Sequence, residues 1–279
     1  MFPFEYSGSI DDAIQKLQDD SKCLIEWYES NYLKPNPDKW HLLLSESRGD
    51  CFIKISNECI YNSTDEKILG VHFDNKLNFN VHLNKLCKRA SQKLHALARV
   101  STFMSCGQRK TIMAAFIQSQ FSYCPLLWRC HSRSIHATIN KIHERSLRIV
   151  YRDNISSFNL LLERSSSVSI HHKNLQFLAV EIYKALNKLS SPLMGELFKV
   201  KDTKYSFRKG ITLLPNKAKT THFGINSISH LAPKIWDLIP DEIKECQSLN
   251  TFKAEVKHWI PHKCPCTLCK LYIPSLGFI

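Results

Sequence analysis

Between Lys85 and Arg152 the chain carries thirteen Lys or Arg residues and a single acid, Glu144. A stretch this lopsided folds only if the like charges share one side and apolar residues fill the other. The spacing meets that condition. In 82–100, Leu83, Leu86, Cys87, Ala90, Leu94 and Leu97 recur at helical intervals, and Lys85, Lys88, Arg89 and Arg99 take the opposite face. In 135–152, Ile135, Ile139, Ile142, Ile149 and Val150 form an apolar side, with Lys141, Arg145, Arg148 and Arg152 as a stripe at i, i+4, i+7 and i+11. Ser105 and Gln108 have the spacing of a capping box, which predicts a third helix with Ile112, Met113, Phe116 and Ile117 pointing inward. Helices with apolar backs and basic fronts suit a polyanion, most simply a nucleic-acid backbone. The residues that would meet it are Lys85, Lys88, Arg89, Lys141, Arg145, Arg148 and Arg152. The competing reading is the solvated surface of a basic protein. The concentration of the charge weighs against it: residues 1–84 hold 8 basic and 14 acidic side chains, residues 153–279 hold 17 and 10, and the two flanks nearly cancel.

The rest of the chain has room for a core, since 43% of its 279 residues are hydrophobic, enough for one large or two small domains. Ser9 and Asp12 start a helix in which Ile10, Ala13, Ile14, Leu17, Leu24, Ile25 and Tyr28 keep the 3.6 period, ending near Asn31 before Pro35 and Pro37. Short strand-like runs follow at Trp40–Leu44, Cys51–Ile55, Glu58–Tyr61 and Ile68–Phe73. After the basic block come one helical turn at Phe158–Leu162, a polar loop at Arg164–Val168, a helix marked by Ile170, Leu175, Leu178, Ile182, Ala185, Leu186 and Leu189 that stops at Pro192, and a Lys-rich linker at 199–226. Short helices are expected at 233–238 and 249–259. No apolar run approaches the roughly 20 residues of a membrane span, so no membrane partner is expected. The N-terminus lacks the pattern of a signal peptide, with Asp11 and Asp12 following closely. With 11 cysteines, an odd number placed mostly at helix-core positions, the expected compartment is reducing: nucleus or cytoplasm.

Two constellations could carry chemistry. Asp11-Asp12 and Asp19-Asp20 are the only adjacent Asp pairs, the arrangement that two-metal polymerases use for Mg²⁺. Here the first pair falls in the first turn of a helix and the second on its exposed face, so both are read as structural. The tail is sharper. Cys264, Cys266 and Cys269 place three thiols within six residues, and thiolates so spaced can converge on one Zn²⁺. His262 is the favoured fourth ligand, with His258 and Cys246 as alternatives; the competing reading is a run of free cysteines.

Several segments together resemble a family. Asn36–Ser45, Lys67–Asp74, Leu77, Phe79 and His82 resemble the end of a reverse-transcriptase palm of the non-LTR retrotransposon class, LINE-type and jockey-like. Ser119–Trp128 and His143–Tyr151 resemble its thumb, and Leu231–Trp236 and the Cys-Pro-Cys tail extend the likeness across nearly the whole chain. The resemblance implies an α+β, predominantly helical chain. Its parts would be a palm remnant with a few short strands at 1–80, a basic helical thumb at 81–165, and a helical C-terminal region at 166–279 ending in a Cys-rich knuckle at 258–270. In such enzymes an aromatic-x-Asp-Asp turn holds the catalytic metals, and Phe2–Tyr6 looks like the strand that leaves it. The chain would then begin just after the catalytic pair, without fingers, most of the palm or any endonuclease domain, and Mg²⁺ would belong only to the intact enzyme. Lys39 matches a lysine that donates a proton to the leaving pyrophosphate, although a surface lysine beside a turn reads the same. Leu69, Gly70 and Val71 match the hairpin that supports the primer end. The implied function is a fragment of an RNA-directed DNA polymerase that binds primer–template without polymerising and takes no small-molecule substrate. The alternatives are a retroelement-derived binding or zinc-knuckle interaction protein without chemistry, and a decayed copy.

Overall fold

Ser9 opens the first helix as its spacing predicts, its hydroxyl accepting from the Asp12 amide at 3.1 Å. The computed structural model describes residues 9–45, 51–55, 58–128, 133–201, 211–217, 224 and 227–260, in two compact units divided between His82 and Leu83. In the first unit, α1 (Ile10–Ser30) ends at Asn31, whose side-chain amide donates to the Trp27 carbonyl at 2.8 Å. Its Ile14, Leu17 and Ile25 pack on a small core of Leu42, Ile53 and Ile55. Strand β1 (Phe52–Ile55) alternates exposed and buried residues and pairs antiparallel with β2 (Glu58–Tyr61), Phe52 opposite Tyr61. Gln18 extends this ribbon from the helix: its Oε1 accepts from the Lys54 amide at 2.6 Å, and its Nε2 donates to the Lys54 carbonyl.

Two of the expected strand runs differ from the structure. Trp40–Leu44 does not form a strand; Leu42 makes a lone parallel bridge to Asn62, and the Asn62 side chain accepts from the Leu44 amide at 2.8 Å. A side-chain amide here takes the place of a ladder partner. Ile68–Phe73 is not one strand but contains a turn. Strand β3 (Asp65–Ile68) pairs antiparallel with β4 (Val71–Asp74) around Leu69-Gly70, both at positive φ, 48° and 86°. Two positive φ values are what a tight two-residue hairpin with right-twisted strands demands. Leu69, 84% exposed, is apolar without being a strand residue. Ring contact between Phe73 and Phe79, centroids 5.4 Å apart, closes this part of the unit.

Helix α2 (Asn80–Val100) spans the division between the units. The second unit continues with α3 (Cys106–Ile112), where both arms of the Ser105–Gln108 capping box are made. A π-helical turn at Met113–Ile117 and a 3-10 turn at Gln118–Ser122 follow, then α4 (Pro125–Trp128) and α5 (Arg133–Tyr151). Helix α6 (Phe158–Arg164) exceeds the single turn expected, capped by Ser157. Helix α7 (Ile170–Leu186) is followed by α8 (Pro192–Glu196), β5 (Lys199–Val200), β6 (Leu213–Leu214), α9 (Ile228–Leu238), α10 (Asp241–Lys244) and α11 (Leu249–His258). Its Leu175, Leu178, Ala179, Ile182 and Tyr183 are buried in one core with Phe198 and with residues of β6, α9 and α11. Tyr183 stacks on Phe252 at 4.1 Å between centroids and donates from its hydroxyl to the Cys246 carbonyl at 2.6 Å. Such a side chain contributes about 1.5–3 kcal/mol by leaving water.

Part of the expected linker is docked. Lys199–Val200 pairs with Leu213–Leu214, Leu213 is buried, and Trp236 Nε1 donates to the Ile211 carbonyl at 2.9 Å. Helix α9 also starts five residues before its expected position, because Ser227 caps it and buried Leu231 and Ala232 hold the turn around Pro233. The architecture is thus mostly helical with short antiparallel strand pairs, an α+β chain. Among the described residues no helix is long and apolar enough to cross a membrane.

Candidate nucleic-acid interface

Helix α2 presents the two faces that its spacing implies. Leu83, Leu86, Cys87, Ala90, Leu94 and Leu97 are buried, and Lys85, Lys88, Arg89 and Arg99 are exposed. Burial raises the Cys87 thiol to about 11, so this cysteine is a core residue and not a nucleophile. Helix α5 buries His136, Ile139, Ile142, His143, Ser146, Leu147 and Val150, leaving Lys141 and Arg145 exposed. Among the described residues, no carboxylate forms an ion pair with Lys88, Arg89, Lys141 or Arg145. These four charges are exposed and meet no carboxylate among the described residues.

The other two basic residues of the α5 stripe do structural work. Arg148 is half-buried, pairs with Glu144 at 2.6 Å and approaches the Asp153 carbonyl at 3.5 Å. Arg152 sits at φ 54°, just past the helix end, and donates to the carbonyls of Ser101 and Thr102 at 3.2 and 3.1 Å. The chain after α2 thus receives a guanidinium at the helix's C-terminal end, where the macrodipole favours positive charge. Arg109, one of the thirteen basic residues of the block, is 5% exposed. It donates to Val150 O at 2.8 Å, to Ser101 O at 3.2 Å and to Met104 O, tying the ends of α2 and α5 together. Its position was legible: Arg109, Met113, Ile117 and Phe121 recur every four residues and all are buried. A repeat of four exceeds 3.6, and the chain accommodates it with the π turn. Phe116, expected inward, consequently faces out at 54% exposure.

A partly buried polar chain links α7 to α5 through Gln118. Lys173 Nζ donates to Gln118 Oε1 at 3.1 Å, and Gln118 Nε2 lies 3.1 Å from His143 Nε2. With its oxygen held by Lys173, Gln118 donates to the ring, so His143 carries its proton on Nδ1, an atom with no partner. Burial, and secondarily the Lys173 charge, lowers His143 to about 3. Burial, then the neighbouring Lys257, lowers Lys173 too. The sign for stability follows: the unfolded imidazole takes up a proton below about 6.5 and the folded one only near 3, so acid favours the unfolded chain across that window. Denaturation at pH 7 and pH 5 is expected to show about 2 kcal/mol more loss for the wild type than for His143→Gln. Equal losses would overturn the assignment.

The remaining site residues read from sequence lie on other elements. Lys39 is exposed in a 3-10 turn (Pro37–Lys39), its amide donating to the Asn36 carbonyl at 3.1 Å. Leu69, Gly70 and Val71 form the β3–β4 turn and belong, like Lys39, to the first unit. Asp11 and Asp12 are exposed in the first turn of α1; Asp19, also exposed, is held by Gln15 at 3.2 Å and Lys22 at 3.6 Å. His262, Cys264, Cys266 and Cys269 lie outside the described residues. Of their alternatives, His258 is exposed at the end of α11, and the Cys246 thiol points to the Glu242 carbonyl at 3.9 Å. Among the described residues no three His, Cys, Asp or Glu side chains gather to hold a metal. No protein-family model, curated protein or solved structure matches the chain.

Proposed function

We propose that this chain binds the sugar–phosphate backbone of nucleic acid through the exposed basic faces of α2 and α5, as the thumb part of a LINE-type reverse transcriptase. The single observation that carries the reading is the set Lys88, Arg89, Lys141 and Arg145, exposed and without carboxylate partners among the described residues, in a segment with one acid. Lys85 shares the α2 face; Arg148 and Arg152 contribute less, because each already has work inside the fold. The resemblance of 36–82 to a palm end gives the polymerase class, and the turn at Leu69-Gly70 is compatible with a primer-supporting hairpin. The only adjacent Asp pairs in the sequence, Asp11-Asp12 and Asp19-Asp20, lie on the exposed surface of α1, and the reading is of a chain that binds primer–template without polymerising. Titrating the chain with a primer–template duplex at several salt concentrations tests both halves. Log K is expected to fall by roughly 0.7 to 0.9 per phosphate neutralised, per unit of log salt. The same mixture given nucleotides with Mg²⁺ or Mn²⁺ should yield no extension. A flat salt dependence defeats the binding reading, and templated incorporation defeats the inactive one.

The Cys-rich tail belongs to the same proposal. Three thiolates and an imidazole are the donors that structural Zn²⁺ prefers, and Cys264, Cys266, Cys269 and His262 supply them. The purified chain should carry about one Zn²⁺, lost in a Cys266→Ser, Cys269→Ser double variant. Equal metal content in the two proteins would rule the site out.

A further inference from the structure

We propose that Phe116 is a stacking platform for an unpaired base, so that the basic surface takes the single-stranded end or junction of a nucleic acid and not uniform duplex alone. The inference rests on the nucleic-acid reading above and names the form of its ligand. Phe116 departs from its neighbours: Met113 and Ile117, three back and one on, are 4% and 1% exposed, whereas Phe116 is 54% exposed. The π turn is what carries it out, because the buried positions step by four and leave this ring off the apolar side. π turns inserted in helices recur at functional sites, where they re-aim one side chain. Ala114, Ala115 and Ser119, exposed around it, are small and leave the ring accessible.

The surroundings are cationic. Lys93 Nζ stands 5.8 Å from the Phe116 ring centroid. On α2, Lys85, Arg89 and Lys93 follow one another at i, i+4 and i+8, a single stripe along the helix that ends at this ring. A stripe of positive charge that tracks a backbone and ends on an exposed aromatic ring is how proteins hold single strands: charge on phosphate, π-face on base. An apolar protein partner would call for large apolar side chains beside Phe116, whereas the exposed residues next to it in the chain are Ala114, Ala115 and Ser119, and Lys93 stands over its ring. Stacking needs no particular base, so the platform adds preference for an unpaired end without adding sequence specificity.

The test uses the full chain, a single-stranded oligonucleotide with 2-aminopurine near one end, and a blunt duplex of the same length. Phe116→Ala is expected to weaken binding of the single strand by at least about fivefold and to abolish the quenching of 2-aminopurine, leaving the blunt duplex within about twofold. Phe116→Trp, which keeps a ring, should retain both affinity and quenching. Equal effects on single strand and duplex, or no effect of Phe116→Ala, overturn the inference while steep salt dependence on the duplex leaves the binding reading standing. Salt-independent binding of both ligands overturns the two together. Phe116 that instead captures another protein would show as an alanine variant unaltered toward either oligonucleotide.

Discussion

Replacing Lys88, Arg89, Lys141 and Arg145 together by alanine is expected to lower the slope of log K against log salt by about three, since each phosphate contact contributes roughly 0.7 to 0.9. Between low and physiological salt the wild type should lose affinity steeply, and the variant should begin weak and lose little more. All four side chains are exposed and alanine is at least as good a helix former, so the fold should be unchanged by circular dichroism. Arg148 and Arg152 are deliberately left in place. Removing Arg148 would strand Glu144, and removing Arg152 would take its guanidinium from the Thr102 carbonyl and one of the donors from Ser101, so a loss of affinity there would confuse folding with binding. Sequence indifference should accompany the salt dependence, because Lys and Arg on phosphates carry no base information. A fourfold variant with the wild-type slope would mean that these faces are solvated surface.

Arg109→Ala should be the most damaging alanine substitution among the basic residues of the block, destabilising the chain by about 3–4 kcal/mol. The guanidinium is buried and its partners are main-chain carbonyls at 101, 104 and 150, two of them at or just past the ends of α2 and α5. Truncation takes the guanidinium from the Val150 and Met104 carbonyls, while Ser101 keeps Arg152 and the Met104 amide, and it opens a void between the helices. Arg109→Lys should recover part of the loss, since an ammonium reaches fewer of the three carbonyls than a planar fork does. Urea denaturation of the three proteins measures this; an Arg109→Ala variant within about 0.5 kcal/mol of wild type would show that the arginine is dispensable. The contrast with Lys88 or Arg145 is the useful one: equal charge, opposite consequence.

What the sequence determined by itself is local. Helices open where a serine hydroxyl can reach the amide three residues on, at Ser9 and Ser105, because that geometry needs nothing distant. The buried and exposed faces of α2 follow from spacing alone, and so does the exposure of Lys141 and Arg145 on α5. Charge density in 85–152 is likewise a property of the string. Tertiary structure decided which charges are available. Arg109 finds Val150 41 residues away, and Arg152 finds Ser101 51 residues away; no window of one helix contains both partners. Phe116 looked inward under a period of 3.6 and turned outward because burial of its neighbours demanded four. Leu69 looked like a strand residue because it is apolar, but the pairing of Ile68 with Val71 leaves two residues to turn the chain, and backbone geometry outranked hydropathy. Lys-rich spacing around 199–214 hid a short ribbon, because its Leu213 is buried by α7 and α9, elements that the local pattern does not show. Periodicity tells a side chain which way to face; only the packed partners tell a charge whether it is spoken for.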